Sequence, residues 1–93
     1  PVLCLIKYET EEEAIKIAND TPYGLAGYIQ GEHSHAVEVA TKIRAGQVTI
    51  NKGARVRSAP FGGYGSSGNG REHGTHGLEE CLETKAVIGA LIE

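Results

Sequence analysis

No stretch of this 93-residue sequence approaches the roughly 20 apolar residues that a membrane-spanning helix needs. Its longest apolar runs, Val2 to Ile6 and Ala86 to Ile92 with Gly89 inside it, are strand-sized, so no membrane partner is expected. Basic charge is scarce: nine Lys and Arg against twelve Asp and Glu leave a net charge of −3. Only Lys52, Arg55 and Arg57 stand close together, too few to neutralise a nucleic-acid backbone, and no nucleic-acid partner is expected. Cysteine is limited to Cys4 and Cys81, with no C-x-x-C spacing and no signal peptide, which reads as two free thiols of a reducing, cytoplasmic compartment. Internal repeats, low-complexity tracts and any Gly-Lys-Ser or Gly-Lys-Thr step are also missing, and the last absence removes a P-loop.

What is present is ordinary globular material, 40% hydrophobic and 23% charged. A chain of this size makes at most one small domain and buries only about 65% of its unfolded surface, a marginal core unless something else covers it. It starts at Pro1 with an apolar run, which leads us to expect a chain cut from something longer.

Val2 to Ile6 has the continuous apolar pattern of a strand covered on both faces in a parallel sheet. Thr10 with Glu13 three residues on spells a capping box, and Ala14, Ile15 and Ala18 then share a helical face. The Asn19-Asp20-Thr21-Pro22 step ends that helix, because the residue before a proline is pushed out of helical geometry. Leu25 to Gln30 reads as a second strand. From about Ser34, the residues Ala36, Val37, Ala40 and Ile43 mark a second helix, for which Gly46 offers a left-handed end after Lys42 and Arg44. Gln47 to Ile50 is a third strand, Leu78 to Leu82 a short helix, and Ala86 to Ile92 a last strand. Strands alternating with helices in this way predict an α/β fold with right-handed crossovers and a parallel sheet.

The loop from Lys52 to Gly70 contains G-Y-G-S-S-G, Gly63 to Gly68, which fits the dinucleotide fingerprint letter for letter. The fingerprint works only where a strand runs into the glycines and a helix begins on them. Here the nearest strand ends about twelve residues earlier, and Asn69, Gly70 and Gly74 make a poor first helical turn. Glycines that permit turns and close backbone approach are the favoured reading. The histidines fall in two pairs, His33 with His35 and His73 with His76, without further ligands at metal-site spacing. Neither cysteine has the neighbouring base or helix N-terminus that activates a thiol: Cys4 sits in the apolar strand, and Cys81 among Glu79, Glu80 and Glu83. Lys52, Arg55 and Arg57 form either a clamp for an anionic substrate group or a solvated loop.

The order N-D-T-P-Y-G-L-A-G (Asn19 to Gly27), R-A-G-Q-V-x-I-N (Arg44 to Asn51), A-P-F-G-G-Y-x-x-S-G-N-G-R-E (Ala59 to Glu72), H-G-L-E-E (His76 to Glu80) and L-E-x-K (Leu82 to Lys85) resembles the C-terminal end of NAD(P)-dependent aldehyde dehydrogenases, over essentially the whole chain. The resemblance implies a βαβαβ parallel-sheet segment of the catalytic domain over residues 1–82, then a terminal oligomerisation strand over 83–93 and a homo-oligomer built through it. In that family a cysteine attacks the aldehyde, the thiohemiacetal gives hydride to the nicotinamide, and a glutamate-activated water hydrolyses the thioester. Both residues, and the dinucleotide domain, would lie upstream of anything present here. The full-length family enzyme uses NAD or NADP and an aldehyde; this chain alone is expected to hold no cofactor and to be inactive. The alternative is a non-catalytic structural or oligomerisation module.

By the same resemblance Phe61 is the aromatic that lines the aldehyde tunnel, and Glu72 stands behind the catalytic glutamate in a proton relay. Arg71 and Glu83 are a structural ion pair. The loop from Lys52 to Ser58 matches the substrate-anchoring region but departs from its commonest versions, and Gly65 stands where relatives often carry lysine.

Overall fold

The computed structural model describes residues 1–90. Helix α1 spans Glu11–Asn19, strand β1 Ala26–Ile29, helix α2 His33–Ala40, strand β2 Gln47–Ile50 and helix α3 Gly74–Glu79. The unit β1-α2-β2 is a crossover between parallel strands, with Ala26 opposite Gln47 and Ile29 opposite Ile50.

Thr10 caps α1 as its spacing with Glu13 requires: its Oγ1 accepts from the Glu13 amide at 3.2 Å. The Glu13 carboxylate reaches back to the Glu9 amide at 2.8 Å, one residue earlier than in the usual box. Three glutamates in the first turn and Lys16 in the last complement the helix dipole. Ala14, Ile15 and Ile17 are half-buried, while the expected Ala18 is exposed. At its end, Asn19 bridges α1 to the connection behind α2. Its Nδ2 donates to the Lys42 carbonyl and its Oδ1 accepts from the Arg44 amide, both at 2.8 Å.

Helix α2 starts at His33 because Glu32 caps it, accepting from the amides of Ser34 (3.1 Å) and His35 (2.9 Å). The helix stops at Ala40, and the left-handed ending expected at Gly46 does not occur, since Gly46 keeps clear of positive φ. Glycine is needed there for a different reason: a Cβ would collide with the carbonyl oxygen of Gly62, which passes directly over it.

Two expected strands depart from the structure. Residues Val2 to Ile6 form no ladder, because the sheet of the described residues contains only β1 and β2, and a strand without a neighbour leaves its backbone groups unpaired. Their side chains stand in solvent, Val2 being 91% exposed, and Cys4 is exposed rather than buried in a strand. Ala86 to Ala90 are likewise irregular, with Ile88 97% exposed; Leu91 and Ile92, the end of that expected strand, lie outside the described residues. Helix α3 begins four residues before the expected Leu78. His73 (φ 68°) and Gly74 (φ 60°) turn the chain sharply, and the His73 carbonyl accepts from the Gly77 amide at 2.9 Å.

The core is small. Ala36, on α2 against the sheet, is the one fully buried hydrophobic residue among those described. Accessible surface totals 8170 Å²; a compact monomer of this mass exposes about 5,200 Å². The Cα radius of gyration is 18.2 Å, against about 12 Å for a compact chain of this length.

Candidate functional site

The chain beyond β2 folds back on the crossover unit as one glycine-rich loop, and the ends of that loop are tied together. Phe61 and Glu72 form an isolated antiparallel bridge: the Phe61 amide donates to the Glu72 carbonyl at 2.8 Å and the Glu72 amide to the Phe61 carbonyl at 2.7 Å. Between them the loop lies on the segment Pro22 to Gly24. The Tyr64 amide donates to the Gly24 carbonyl (2.9 Å), the Ser66 amide to the Pro22 carbonyl (2.8 Å), and Ser67 Oγ accepts from the Gly24 amide (2.9 Å). Gly24 and Gly63 are buried at this contact, and Gly65, at φ 55°, makes the turn over Pro22, so the glycines serve close backbone approach.

This arrangement decides the dinucleotide question. A phosphate cradle needs free amides converging on one point. In Gly63 to Gly68 the amides of Tyr64 and Ser66 are committed to Gly24 and Pro22, that of Ser67 to Tyr64 and that of Gly68 to Gly65. A single 3₁₀ turn, Gly65–Ser67, replaces the helix that the fingerprint requires. Four of the six amides from Gly63 to Gly68 therefore face carbonyls of this chain and not a common ligand point.

Arg71 is the staple of the loop. Its Nη1 donates to the carbonyls of Gly63 (3.0 Å) and Gly70 (2.8 Å), and its guanidinium lies 5.6 Å from the centre of the Tyr64 ring. The expected ion pair with Glu83 is not formed among the described residues: Glu83 is exposed beyond α3, and Arg71 is turned inward to the loop carbonyls.

Phe61 is half-buried and lines a groove of about 720 Å³ beside the β1–β2 sheet, together with Leu25, Val48, Ile50 and Val56 among others. Two side chains flank its ring. The Arg55 guanidinium sits 5.8 Å from the ring centroid, and the His73 ring is 6.2 Å away, tilted by 38°. Glu72, whose backbone is bound to Phe61, turns its carboxylate outward, 76% exposed, with His73 Nε2 at 4.0 Å. Phe61 and Glu72 are therefore coupled through the backbone, the ring half-buried and the carboxylate exposed, with His73 beside both.

The other candidates separate. Arg55 lines the groove, whereas Lys52 and Arg57 do not. His35 pairs with Glu11 across α1 and α2, with Glu38 at 3.9 Å, and so ties helices together. Among the described residues no group of three or more His, Cys, Asp or Glu is placed to hold a metal. Cys81 Sγ donates weakly to the Gly77 carbonyl at 3.7 Å, and among the described residues neither thiol hydrogen-bonds a histidine or a carboxylate. Of the clustered Lys52, Arg55 and Arg57, Arg55 is the one that reaches Phe61, and His73 of the His73/His76 pair stands beside the same ring; their nearness to Phe61 is what spacing did not give.

The description "Aldehyde dehydrogenase family" belongs to the family model that matches residues 1–87. A 3-succinoylsemialdehyde-pyridine dehydrogenase from a Pseudomonas species is 54% identical over 90 residues, covering 96% of this chain and 19% of that relative. Among solved structures, a mutant aldehyde dehydrogenase C of Pseudomonas syringae, complexed with NAD+ and octanal, superposes with a TM-score of 0.93 at 59% identity, covering 96% of this chain and 19% of that one. An NAD+ complex of a Mycobacterium tuberculosis aldehyde dehydrogenase gives a TM-score of 0.81 at 40% identity, over 91% of this chain and 18% of its own. The chain thus spans about a fifth of the length of the relatives it matches. With the match running through both the crossover unit and the glycine loop, this chain belongs to the aldehyde dehydrogenase family.

Proposed function

We propose that the whole protein oxidises aldehydes to carboxylates with NAD or NADP, and that this segment contributes one wall of its aldehyde-binding site. The observation that carries this reading is the Phe61–Glu72 bridge, which fixes an aromatic in the lining of an apolar groove and couples it to an acid at the other root of the same loop. Phe61 packs against the substrate chain. Glu72 acts behind the catalytic glutamate in a proton relay, its carboxylate facing outward toward residues beyond this segment. The nucleophilic cysteine, the general base and the dinucleotide pocket belong to those other residues; in support, the amides of Tyr64, Ser66, Ser67 and Gly68 are already taken by carbonyls of this chain, and the Cys81 thiol faces the Gly77 carbonyl.

The support from relatives is that structures 40 to 59% identical to this chain hold NAD+, and that one also holds octanal. The preference between NAD and NADP is left to the assay. The two exposed thiols suit a cytoplasmic setting, and no helix among the described residues is long and apolar enough to cross a membrane. Residues 83–93 are proposed to pair as a strand with a second copy of the protein, whose backbone would supply the missing ladder.

The test is a panel of aldehydes with NAD and with NADP. The whole protein is expected to turn over, and the 93-residue chain alone is not. Phe61→Ala should raise KM roughly tenfold through lost apolar contact, and Glu72→Gln should lower kcat while changing KM little. Turnover by the isolated chain, or indifference to both substitutions, would refute the assignment. Light scattering of the whole protein truncated after Leu82 checks the assembly role, which predicts a smaller mass than the untruncated protein.

A further inference from the structure

The groove beside Phe61 has apolar walls and carries a single charge. Its polar side chains are those of Tyr28, Gln47 and Thr49, the Gln47 amide is 3.4 Å from the Thr49 hydroxyl, and no acidic residue lines it. The charge is Arg55, whose guanidinium lies over Phe61 at 5.8 Å and enters no ion pair among the described residues. The acid nearest to Phe61 along the loop bridge, Glu72, has His73 as its neighbour at 4.0 Å. A guanidinium stacked on an aromatic face keeps its in-plane N–H donors available, and those donors match a carboxylate two at a time. An apolar channel with such a fork beside its aromatic is complementary to a ligand that is aliphatic along its length and anionic at one end.

On the reading of Phe61 as the residue beside the aldehyde chain, we propose that Arg55 is a specificity-determining residue that selects aldehydes bearing a carboxylate at the far end of an aliphatic chain, the semialdehydes of dicarboxylic acids. The aldehyde end points toward the reacting residues, the methylene chain lies on Phe61 and the sheet face, and the far carboxylate is held by the Arg55 fork. Lys52 and Arg57, on the same loop but not on the groove, add charge to its approach without contacting the substrate.

The experiment compares kcat/KM of the whole protein for butanal, hexanal and octanal with that for ω-oxocarboxylates of matching length, in the unaltered protein and in Arg55→Met, Arg55→Lys and Lys52→Met. Adipate binding is measured by calorimetry on the same four proteins. The unaltered protein is expected to favour the anionic substrates by about tenfold or more, mainly through KM, as a charge-assisted hydrogen-bond pair provides. Arg55→Met should abolish that ratio and weaken adipate about 10- to 100-fold. Arg55→Lys should keep part of it, because an ammonium supplies charge without the fork, and Lys52→Met should shift it less than Arg55→Met. A preference for neutral aldehydes, or a ratio and adipate affinity indifferent to Arg55→Met, overturns the inference. Arg55-dependent adipate binding without any aldehyde turnover sinks the activity reading and upholds the anion site; turnover without Arg55-dependent selection does the reverse.

Discussion

A methyl group at Gly46 would occupy the space of the Gly62 carbonyl oxygen, and that single collision explains why this position is glycine although its backbone is not left-handed. The glycine loop carries Phe61 and Glu72, so its seat on Gly46 sets where both side chains start. Forcing the contact open costs about 1 to 3 kcal/mol, the usual range for overpacking against backbone that cannot move aside. Gly31 is the matched control, since nothing lies within 4 Å of a Cβ added there and its φ is not positive. Gly46→Ala is therefore expected to destabilise the whole protein by about 2 kcal/mol or more in urea denaturation, while Gly31→Ala stays within about 0.5 kcal/mol. Equal effects of the two would show that the loop does not sit on Gly46. Arg71 is the companion case: its hydrogen bonds go to two loop carbonyls. Among the described residues, loop closure is what its charge serves.

Helix α2 carries the crossover, and its first turn depends on Glu32. Hydrogen bonding from the Ser34 hydroxyl, and then from the His35 and Ser34 amides, holds the Glu32 carboxyl at a pKa of about 2, against an ordinary value of 4.5. A carboxyl depressed in the folded state contributes stability that is fully present above its unfolded value and lost as pH falls from about 4.5 toward 2. Glu32→Gln should accordingly lower the melting temperature of the whole protein at pH 7, and the gap between the two proteins should narrow as pH falls through 4.5. A gap constant from pH 7 to 3 would contradict the cap. The join between α1 and the connection from α2 to β2 makes a second expectation: Asn19→Ala removes both hydrogen bonds that reach Lys42 and Arg44 and should cost about 1 to 2 kcal/mol in urea denaturation. Elements held by local signals were legible in the sequence: the Thr10 cap started α1, β-branched Gln47 to Ile50 formed β2 at its expected bounds, and the alternation of strand and helix gave a parallel pair. Missing from the sequence was whatever depends on a neighbour. Val2 to Ile6 has a strand's composition but no partner strand among the described residues, and α3 starts early because of backbone turning at His73 and Gly74 that propensity does not encode. At the proposed site, the motif order drew attention to Phe61 and Glu72, which the structure joins by a backbone bridge. The place of Arg55 over Phe61 needed the path of a loop without regular structure, and the partners of Arg71 needed the turn geometry of the glycines.

At the scale of the whole molecule, surface outweighs core. The chain exposes 8170 Å², some 3,000 Å² more than a compact protein of its mass, and the excess is apolar at both ends: Val2, Leu3, Leu5 and Ile6 before α1, Val87 and Ile88 after α3. Folding must offset about 1 to 2 kcal/mol of backbone entropy for every ordered residue, chiefly by burying apolar area. With Ala36 the one fully buried hydrophobic residue among those described, little of it is buried. The β1-α2-β2 unit and the glycine loop are joined mainly by backbone hydrogen bonds, each with a modest net contribution when water competes for the same groups. The isolated 93-residue chain is thus expected to melt without a cooperative calorimetric transition and to enhance the fluorescence of a hydrophobic dye. In light scattering its mass should exceed that of a monomer as concentration rises. A sharp two-state transition from a dye-silent monomer would mean that the loop and crossover supply more stability than their buried area accounts for, and would shift the source of the fold from apolar burial to the hydrogen-bonded seat of the loop on Pro22 to Gly24.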